Sequence, residues 1–366
     1  MKKWSVLSVL GAALLVTSGA FAGPLADATS DSLWGIELGG YLQASYTYQF
    51  NSPNVDANSI VGRPFSTDND EIQLNAFQLY IDKLPEDEGE AGFRFDILAG
   101  EDSAVIGDLW GGDDDIAIYQ AYISYIAPMG NGLTIDVGRF STWHGYESIE
   151  SPANDQFTRG MMFGMMQPYT HTGVRLTYPI NDMWELSGGM TQGWDVVNDN
   201  NDGWTFHAAV RWMPMETVYI QNSVSYGPEM FLNDSDDTLL YDLVATWEIN
   251  ESWTLGGNFD YENIEDVAVG GGDATLLGIA GFLRYDVNED LYLAARLEWI
   301  DDDDNFITAG DDMWEVTLTM GYQVTEGLMT RLEYRHDDAD APIFADEDFT
   351  TDDSQDTISV EVIYSF

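Results

Sequence analysis

Residues 37–50 read ELGGYLQASYTYQF, and in them Leu38, Gly40, Leu42, Ala44, Tyr46, Tyr48 and Phe50 alternate with Glu37, Gly39, Tyr41, Gln43, Ser45, Thr47 and Gln49. Successive side chains of a strand point to opposite faces, so one face is apolar and the other polar. The pattern returns at Trp204, Phe206, Ala208, Val210 and Trp212 against Thr205, His207 and Arg211, and at Trp253, Leu255, Gly257, Phe259 and Tyr261 against Thr254, Asn258, Asp260 and Glu262. It recurs at Leu291, Leu293, Ala295, Leu297 and Trp299 against Tyr292, Arg296 and Glu298, and at Trp314, Val316, Leu318, Met320 and Tyr322 against Glu315, Thr317 and Gln323. A wall with lipid outside and water inside demands this alternation of every strand.

Such segments number about 16, each of roughly ten residues, beginning near 36, 71, 91, 116, 133, 170, 184, 204, 217, 238, 253, 275, 291, 313, 328 and 355. Two change phase, between Ala76 and Phe77 and after Val137, and each phase change predicts a bulge. Tight turns at 128–132, 179–183, 250–252, 288–290 and 325–327 alternate with longer acidic loops at 195–203, 301–312 and 337–354. The fold expected is an all-β, transmembrane, antiparallel up-and-down barrel with short periplasmic turns and long acidic extracellular loops. Tryptophans cluster at segment ends (Trp184, Trp194, Trp204, Trp212, Trp247, Trp253, Trp299, Trp314), as interfacial girdles require. A soluble β-sandwich also alternates, but it hides its apolar face against a second sheet and has no use for girdles or for a systematic asymmetry of connections.

The first 22 residues predict export. Lys2 and Lys3 precede an apolar run over 4–16, and Ala20, Phe21 and Ala22 supply a cleavage site. Residues 1–22 are therefore expected to form a cleavable signal peptide, 23–34 a short periplasmic segment and 35–366 a single barrel. There are 13 basic and 64 acidic residues, a net charge of −51, and losing Lys2 and Lys3 leaves 11 − 64 = −53. That field repels nucleic acid, and the absence of cysteine excludes disulfides and thiolate metal sites.

Several stretches resemble the OmpL-like putative β-barrel porin family: 92–96 (GFRFD) with Gly100, Glu101 and Asp102, 120–125 (QAYISY), 130–140 (GNGLTIDVGRF), Gly145-Tyr146-Glu147, 150–154 (ESPAN), 168–175 (PYTHTGVR) and Gly193-Trp194-Asp195. The resemblance is good from about 36 to 212. It implies an outer-membrane porin and supplies neither a substrate nor catalytic residues.

Loop 141–170 is long and less acidic than its neighbours, and Met161, Met162, Phe163, Met165 and Met166 argue against disorder. One reading folds it into the lumen with Glu147, Glu150, Asp155 and Arg159 as constriction charges; the other packs it on the rim. Strand phase turns Arg94, Arg175, Arg211, Arg284, Arg296, Arg331 and Arg335 inward, together with acids including Asp96, Asp136, Glu185, Asp242, Asp286, Glu298, Glu315, Glu333 and Glu361. Cross-wall ion pairs and a sorted transverse field both remain open for them. Arg139 and His171 complete the set of pore-lining candidates.

The acidic runs 301–304 and 346–348 invite a calcium reading, but solvated loop charge explains them as well. His144, His171, His207 and His336 are scattered in sequence with no serine motif beside them, so neither catalysis, nor a cofactor, nor a metal site is expected. The expected function is passive diffusion of small hydrophilic solutes and ions, with cations preferred. The alternative is a structural or surface-recognition barrel whose acidic loops bind divalent cations. Expected partners are outer-membrane lipid and the barrel-assembly machinery, through a last strand ending in Phe366; a homotrimer is one assembly open to the chain.

Overall fold

A computed structural model describes residues 35–51, 60–107, 116–268, 271–302, 304, 306, 312–346 and 350–366. The expected signal peptide, the segment 23–34 and parts of the acidic runs 301–312 and 346–348 lie outside the described residues. In chain order the strands are β1 (Glu37–Gln49), β2 (Glu71–Lys83), β3 (Ala91–Ala99), β4 (Ile116–Ala127), β5 (Leu133–Ser141), β6 (Thr170–Asn181), β7 (Trp184–Trp194), β8 (Thr205–Met215), β9 (Val218–Pro228), β10 (Asp237–Asn250), β11 (Trp253–Ile264), β12 (Ala274–Asp286), β13 (Leu291–Asp301), β14 (Met313–Thr325), β15 (Leu328–Ala339), β16 (Phe344–Ala345), β17 (Thr351–Asp352) and β18 (Ser354–Ser365). The strands β1 to β15 and β18 close an antiparallel barrel, while β16 and β17 pair separately within the last long loop. Two short helices, α1 (Glu101–Ile106) and α2 (Met161–Met165), and a 3₁₀ turn at Ser151–Ala153 interrupt the loops.

Closure removes both sheet edges, which lipid leaves no other way to satisfy. Strand β1 runs in register with β18 from Tyr41 opposite Ser365 to Gln49 opposite Thr357. The last residue seals the seam: Phe366 N donates to Gly40 O (3.0 Å) and Gly40 N donates to Phe366 O (3.1 Å). Facing follows the alternation. In β13, Leu297 is 56 % exposed on the lipid side while its neighbour Arg296 is 1 % exposed on the lumen side. In β1, Gln43, Ser45, Thr47 and Gln49 are buried while Leu42 and Tyr46 are exposed. At the rim of short turns Trp184 stacks on Trp212 (5.4 Å) and Trp253 on Tyr285 (4.4 Å).

The phase change in β2 is a bulge. Gln43 pairs with Ala76 and Ser45 with Gln73, so Leu74 and Asn75 together face Ala44. The phase change in β5 is not. Its pairing with β4 and β6 runs unbroken from Thr134 to Arg139. Gly138 instead turns through φ +140°, and consecutive Arg139 and Phe140 are both buried. A side chain at position 138 is forbidden as well by crowding, since a Cβ there would lie 2.2 Å from Ala121 O.

Leu297 tests the inside-out reading directly. Leu297→Arg places a charge on the lipid face in the middle of β13 and is expected to cost ~2–4 kcal/mol of folding free energy, read by urea titration in lipid vesicles. A cost indistinguishable from that of Leu297→Ala would contradict the assignment of that face.

Candidate functional site

Loop 142–169 crosses the lumen and is held to the far wall. A buried loop lacks the ladder that strands use, so its backbone groups need other partners. The wall supplies them as charged side chains. Carboxylates accept from loop amides: Gly145 N donates to Asp242 (3.2 Å), Phe157 N and Thr158 N to Glu333 (2.7 and 3.0 Å), and Met161 N to Glu298. Guanidiniums donate to loop carbonyls: Arg296 to Thr158 O (2.6 Å), Arg335 to Arg159 O (2.7 Å), and Arg331 to Ser151 O (3.1 Å), Gln156 O (3.2 Å) and Asn154 O. Tyr292 adds a hydroxyl donated to Asp155 O at 2.9 Å.

The seven inward strand arginines other than Arg139 also meet acids. Arg94 bonds Asp96 (2.8 Å) and reaches Asp82 and Glu150; Arg175 bonds Asp136 (2.9 Å); Arg211 bonds Glu185 (2.5 Å). Arg284 lies between Asp155 (2.5 Å) and Asp286 (2.8 Å), Arg296 between Glu147 (2.7 Å) and Glu315 (2.6 Å), and Arg335 between Asp337 (2.6 Å) and Glu315 (3.3 Å), while Arg331 bonds Glu361 at 3.0 Å. Arg159 is buried against Asp102 (3.2 Å) and lies over the Phe65 ring at 4.8 Å. Arg139 is buried too, donating to Ile106 O (2.7 Å) and Thr170 Oγ1 (3.1 Å). Arg63, which no alternation pattern singles out, bonds Asp337 and Thr357 from the loop after β1.

Apolar loop side chains fill the rest of this half of the lumen. Met161, Met162 and Met166 pack with Ile264, Leu276, Phe282, Ile300 and Met313, and Phe163 and Tyr169 with Phe65, Leu98 and Tyr119. Beside the loop, against the walls from β4 to β9, stays a cavity of about 330 Å³. Of the candidates read from the sequence, Glu147, Arg175 and Arg211 line it, joined by Asp136 and Glu185. Arg94, Asp96, Arg139, Glu150, Asp155, Arg159, His171, Arg284, Arg296, Arg331 and Arg335 do not line it. His144, set aside in the sequence as one of four scattered histidines, and Trp143 also border the cavity. His171 is buried beside His144 and His207, so three histidines that look scattered in the sequence converge. Among the described residues, this is the group with metal-ligand spacing, and no acidic loop joins it.

A closed wall of 16 strands, a long loop tied across the lumen and a charged cavity beside it are the parts of a porin, and the family comparison agrees over residues 35–366. The chain belongs to the family described as Putative beta-barrel porin-2, OmpL-like. This OmpL-like porin is an outer-membrane channel protein. Similar solved structures include the outer membrane channel DcaP of Acinetobacter baumannii (10 % identity, TM-score 0.62, 90 % of this chain and 97 % of that one covered). An anion-selective porin from Comamonas acidovorans (12 %, 0.63, 90 % and 99 %) and the trimer form of OmpT from Vibrio cholerae (12 %, 0.62, 90 % and 99 %) share the fold as well. No curated protein matches the chain.

The loop of this porin ends on Asp195, in the connection after β7. Its carboxylate accepts from Thr170 N (2.7 Å) and Tyr169 N (2.9 Å). Burial pushes Asp195 up to about 6 from its ordinary 3.8, although these donors pull the other way. Burial likewise pushes Asp102 up to about 6 against the pull of Arg159. With the folded-state value above the unfolded one, the folded barrel keeps a proton on Asp195 that the unfolded chain has released. That contribution to stability is full below about pH 4 and is lost as pH rises through about 6. Asp195→Asn removes the titration and keeps the acceptor oxygen. The wild type is therefore expected to lose thermal stability relative to Asp195→Asn between pH 4.5 and 7.5, measured by heat-modifiable migration in detergent; parallel melting curves would contradict it.

Proposed function

We propose that this porin passes small hydrophilic solutes and ions by passive diffusion along the β4–β9 side of the lumen, prefers cations and carries out no catalysis. The observation that carries this reading is the cavity between loop 142–169 and that wall. Its ion pairs keep partial access: the side chains of Arg211 and Glu185 are 17 % and 19 % exposed, against 0 % for those of Arg296 and Glu315. Asp136, Glu147 and Glu185 line the cavity with Arg175 and Arg211, three acids to two arginines, and the net charge of −51 adds to the excess of acid. A negative wall of low dielectric concentrates cations and repels anions. The Comamonas porin named as anion-selective shows that the same fold carries the opposite preference.

The surface-recognition alternative finds less support. Asp199 accepts from Asn201 N (3.0 Å) and Asp202 N (2.7 Å) of its own loop, and Asp304 from Thr275 N of β12 (3.0 Å), so these loop carboxylates are engaged by backbone amides. Removal of residues 1–22 on export and delivery to the assembly machinery through the last strand, Ser354–Ser365 followed by Phe366, complete the reading. A homotrimer is proposed by analogy with the trimer form of the Vibrio protein.

Planar-bilayer recording tests the channel. Deleting residues 151–166 is expected to raise single-channel conductance with the barrel intact, because the ladder lies in the strands and water then solvates Arg296 and Arg331. Arg211→Gln leaves Glu185 without its partner and is expected to raise cation preference at low salt, with the effect fading toward 1 M as screening grows. Glu185→Gln is expected to do the reverse. Unchanged conductance after the deletion, or an anion-selective reversal potential in the wild type, would overturn this reading.

A further inference from the structure

His144 lies in loop 142–169, His171 is the second residue of β6 and His207 sits in β8, and the fold brings one ring nitrogen of each to within 4.8 Å of the others. All three side chains are buried, with 2 %, 0 % and 7 % exposure. Each ring has one nitrogen beside a hydroxyl. His144 Nδ1 lies 2.9 Å from Ser223 Oγ, His171 Nε2 3.0 Å from Thr142 Oγ1 and His207 Nε2 2.8 Å from Thr191 Oγ1. The other nitrogen of His144 (Nε2) and of His207 (Nδ1) is buried without a hydrogen-bond partner, and Nδ1 of His171 is buried with none of standard geometry, Gly193 lying nearest on the backbone.

Ser223 fixes the tautomer of His144. Its hydroxyl donates to Asp242 Oδ1 at 2.9 Å, so toward His144 it accepts, and the proton sits on Nδ1. Nε2 of His144 therefore carries a bare lone pair. Trp143 stacks on His207 at 4.6 Å and stands 5.5 Å from His171, an apolar shield over the cluster. Gly189 makes room for that indole, since a Cβ there would lie 2.7 Å from Trp143 Cη2.

We propose that His144, His171 and His207 bind one borderline transition-metal dication, with Zn²⁺ as the reference ion, and that the ion ties loop 142–169 to β6 and β8. An all-imidazole set suits Zn²⁺, Cu²⁺ and Ni²⁺ and is wrong for Ca²⁺ or Mg²⁺, which take oxygen. The hydroxyls do what outer partners do at such sites: each occupies one ring nitrogen and orients the other. Zn–N bonds of 2.0–2.1 Å set ligand nitrogens about 3.3 Å apart in a tetrahedron, so the group closes modestly on the ion. Three protein ligands leave a fourth position for water or a solute, and His144 and Trp143 border the neighbouring cavity.

The test uses the full-length protein in detergent, stripped with chelator and held in millimolar Ca²⁺ to occupy the acidic loops. Zn²⁺ titration is expected to give one saturable site per chain. Co²⁺ substitution is expected to give the intense visible absorption of a tetrahedral site. His207→Gln and His171→Gln are expected to abolish the site, Ser223→Ala to weaken it tenfold or more, and His336→Gln to leave it unchanged. Where a histidine variant fails to fold, the wild-type Co²⁺ spectrum decides. A weak octahedral spectrum, or a Zn²⁺ stoichiometry that survives His171→Gln, would overturn the proposal. These readouts are independent of conductance, so they stand or fall apart from the channel reading.

Discussion

The guanidinium of Arg296 holds three things at once: Glu315 on the neighbouring strand, Glu147 on the loop and the carbonyl of Thr158. On its own a buried ion pair is weak evidence for stability, because desolvation of two charges roughly offsets their attraction. Here the charge has a further task. A loop inside a barrel has no ladder, and each buried amide or carbonyl left without a partner costs about 1–3 kcal/mol. Arg296, Arg331 and Arg335 supply donors, and Glu298 and Glu333 supply acceptors, to a segment that has no regular structure with which to satisfy itself. The acid-rich lumen is thus partly a scaffold for the loop.

This division of labour decides which charges are left to meet a solute. Arginines bonded to loop carbonyls are sealed, and so is Arg159 on the loop itself. The pairs Arg175–Asp136 and Arg211–Glu185 border the cavity, and the carbonyl Arg175 reaches, Ser141 O (3.4 Å), belongs to the end of β5 and not to the loop. Partly accessible charge then lies on one side of the lumen and mechanical fixation on the other.

The strands were legible because period two is imposed by lipid on every one of them. Each of the 16 barrel strands begins within one residue of the position that alternation indicates. Parity also told which face Arg94, Arg175 and Arg296 occupy, since a lipid-facing arginine is expelled by its own cost. Parity tells a face and not a partner, however. Glu147 meets Arg296 from 149 residues away and Ser151 meets Glu361 from 210 residues away, and nothing local encodes either meeting. Gly138 misled for a related reason. A break in alternation looks the same whether an added residue or a left-handed glycine causes it.

The histidines were hidden by the same blindness to partners. Their separation in the chain suggested independence, and the hydroxyls that orient them, Thr142, Thr191 and Ser223, are unremarkable strand and loop residues until the barrel closes. Closure brings β6 and β8 to one flank of the loop and β13, β15 and β18 to the other. On the second flank guanidiniums and carboxylates grip the backbone at 151–161, where displacement would strand several buried charges together. On the first, His144 meets the wall through one chain of hydrogen bonds by way of Ser223 to Asp242, beside amide contacts from Gly145 to Asp242 and Tyr146 to Asn258 (3.1 Å). Gln221 Nε2 adds a bond to Trp143 O (2.6 Å), so on the side that carries the cavity amide, hydroxyl and carboxylate groups hold the loop where guanidiniums hold it on the other.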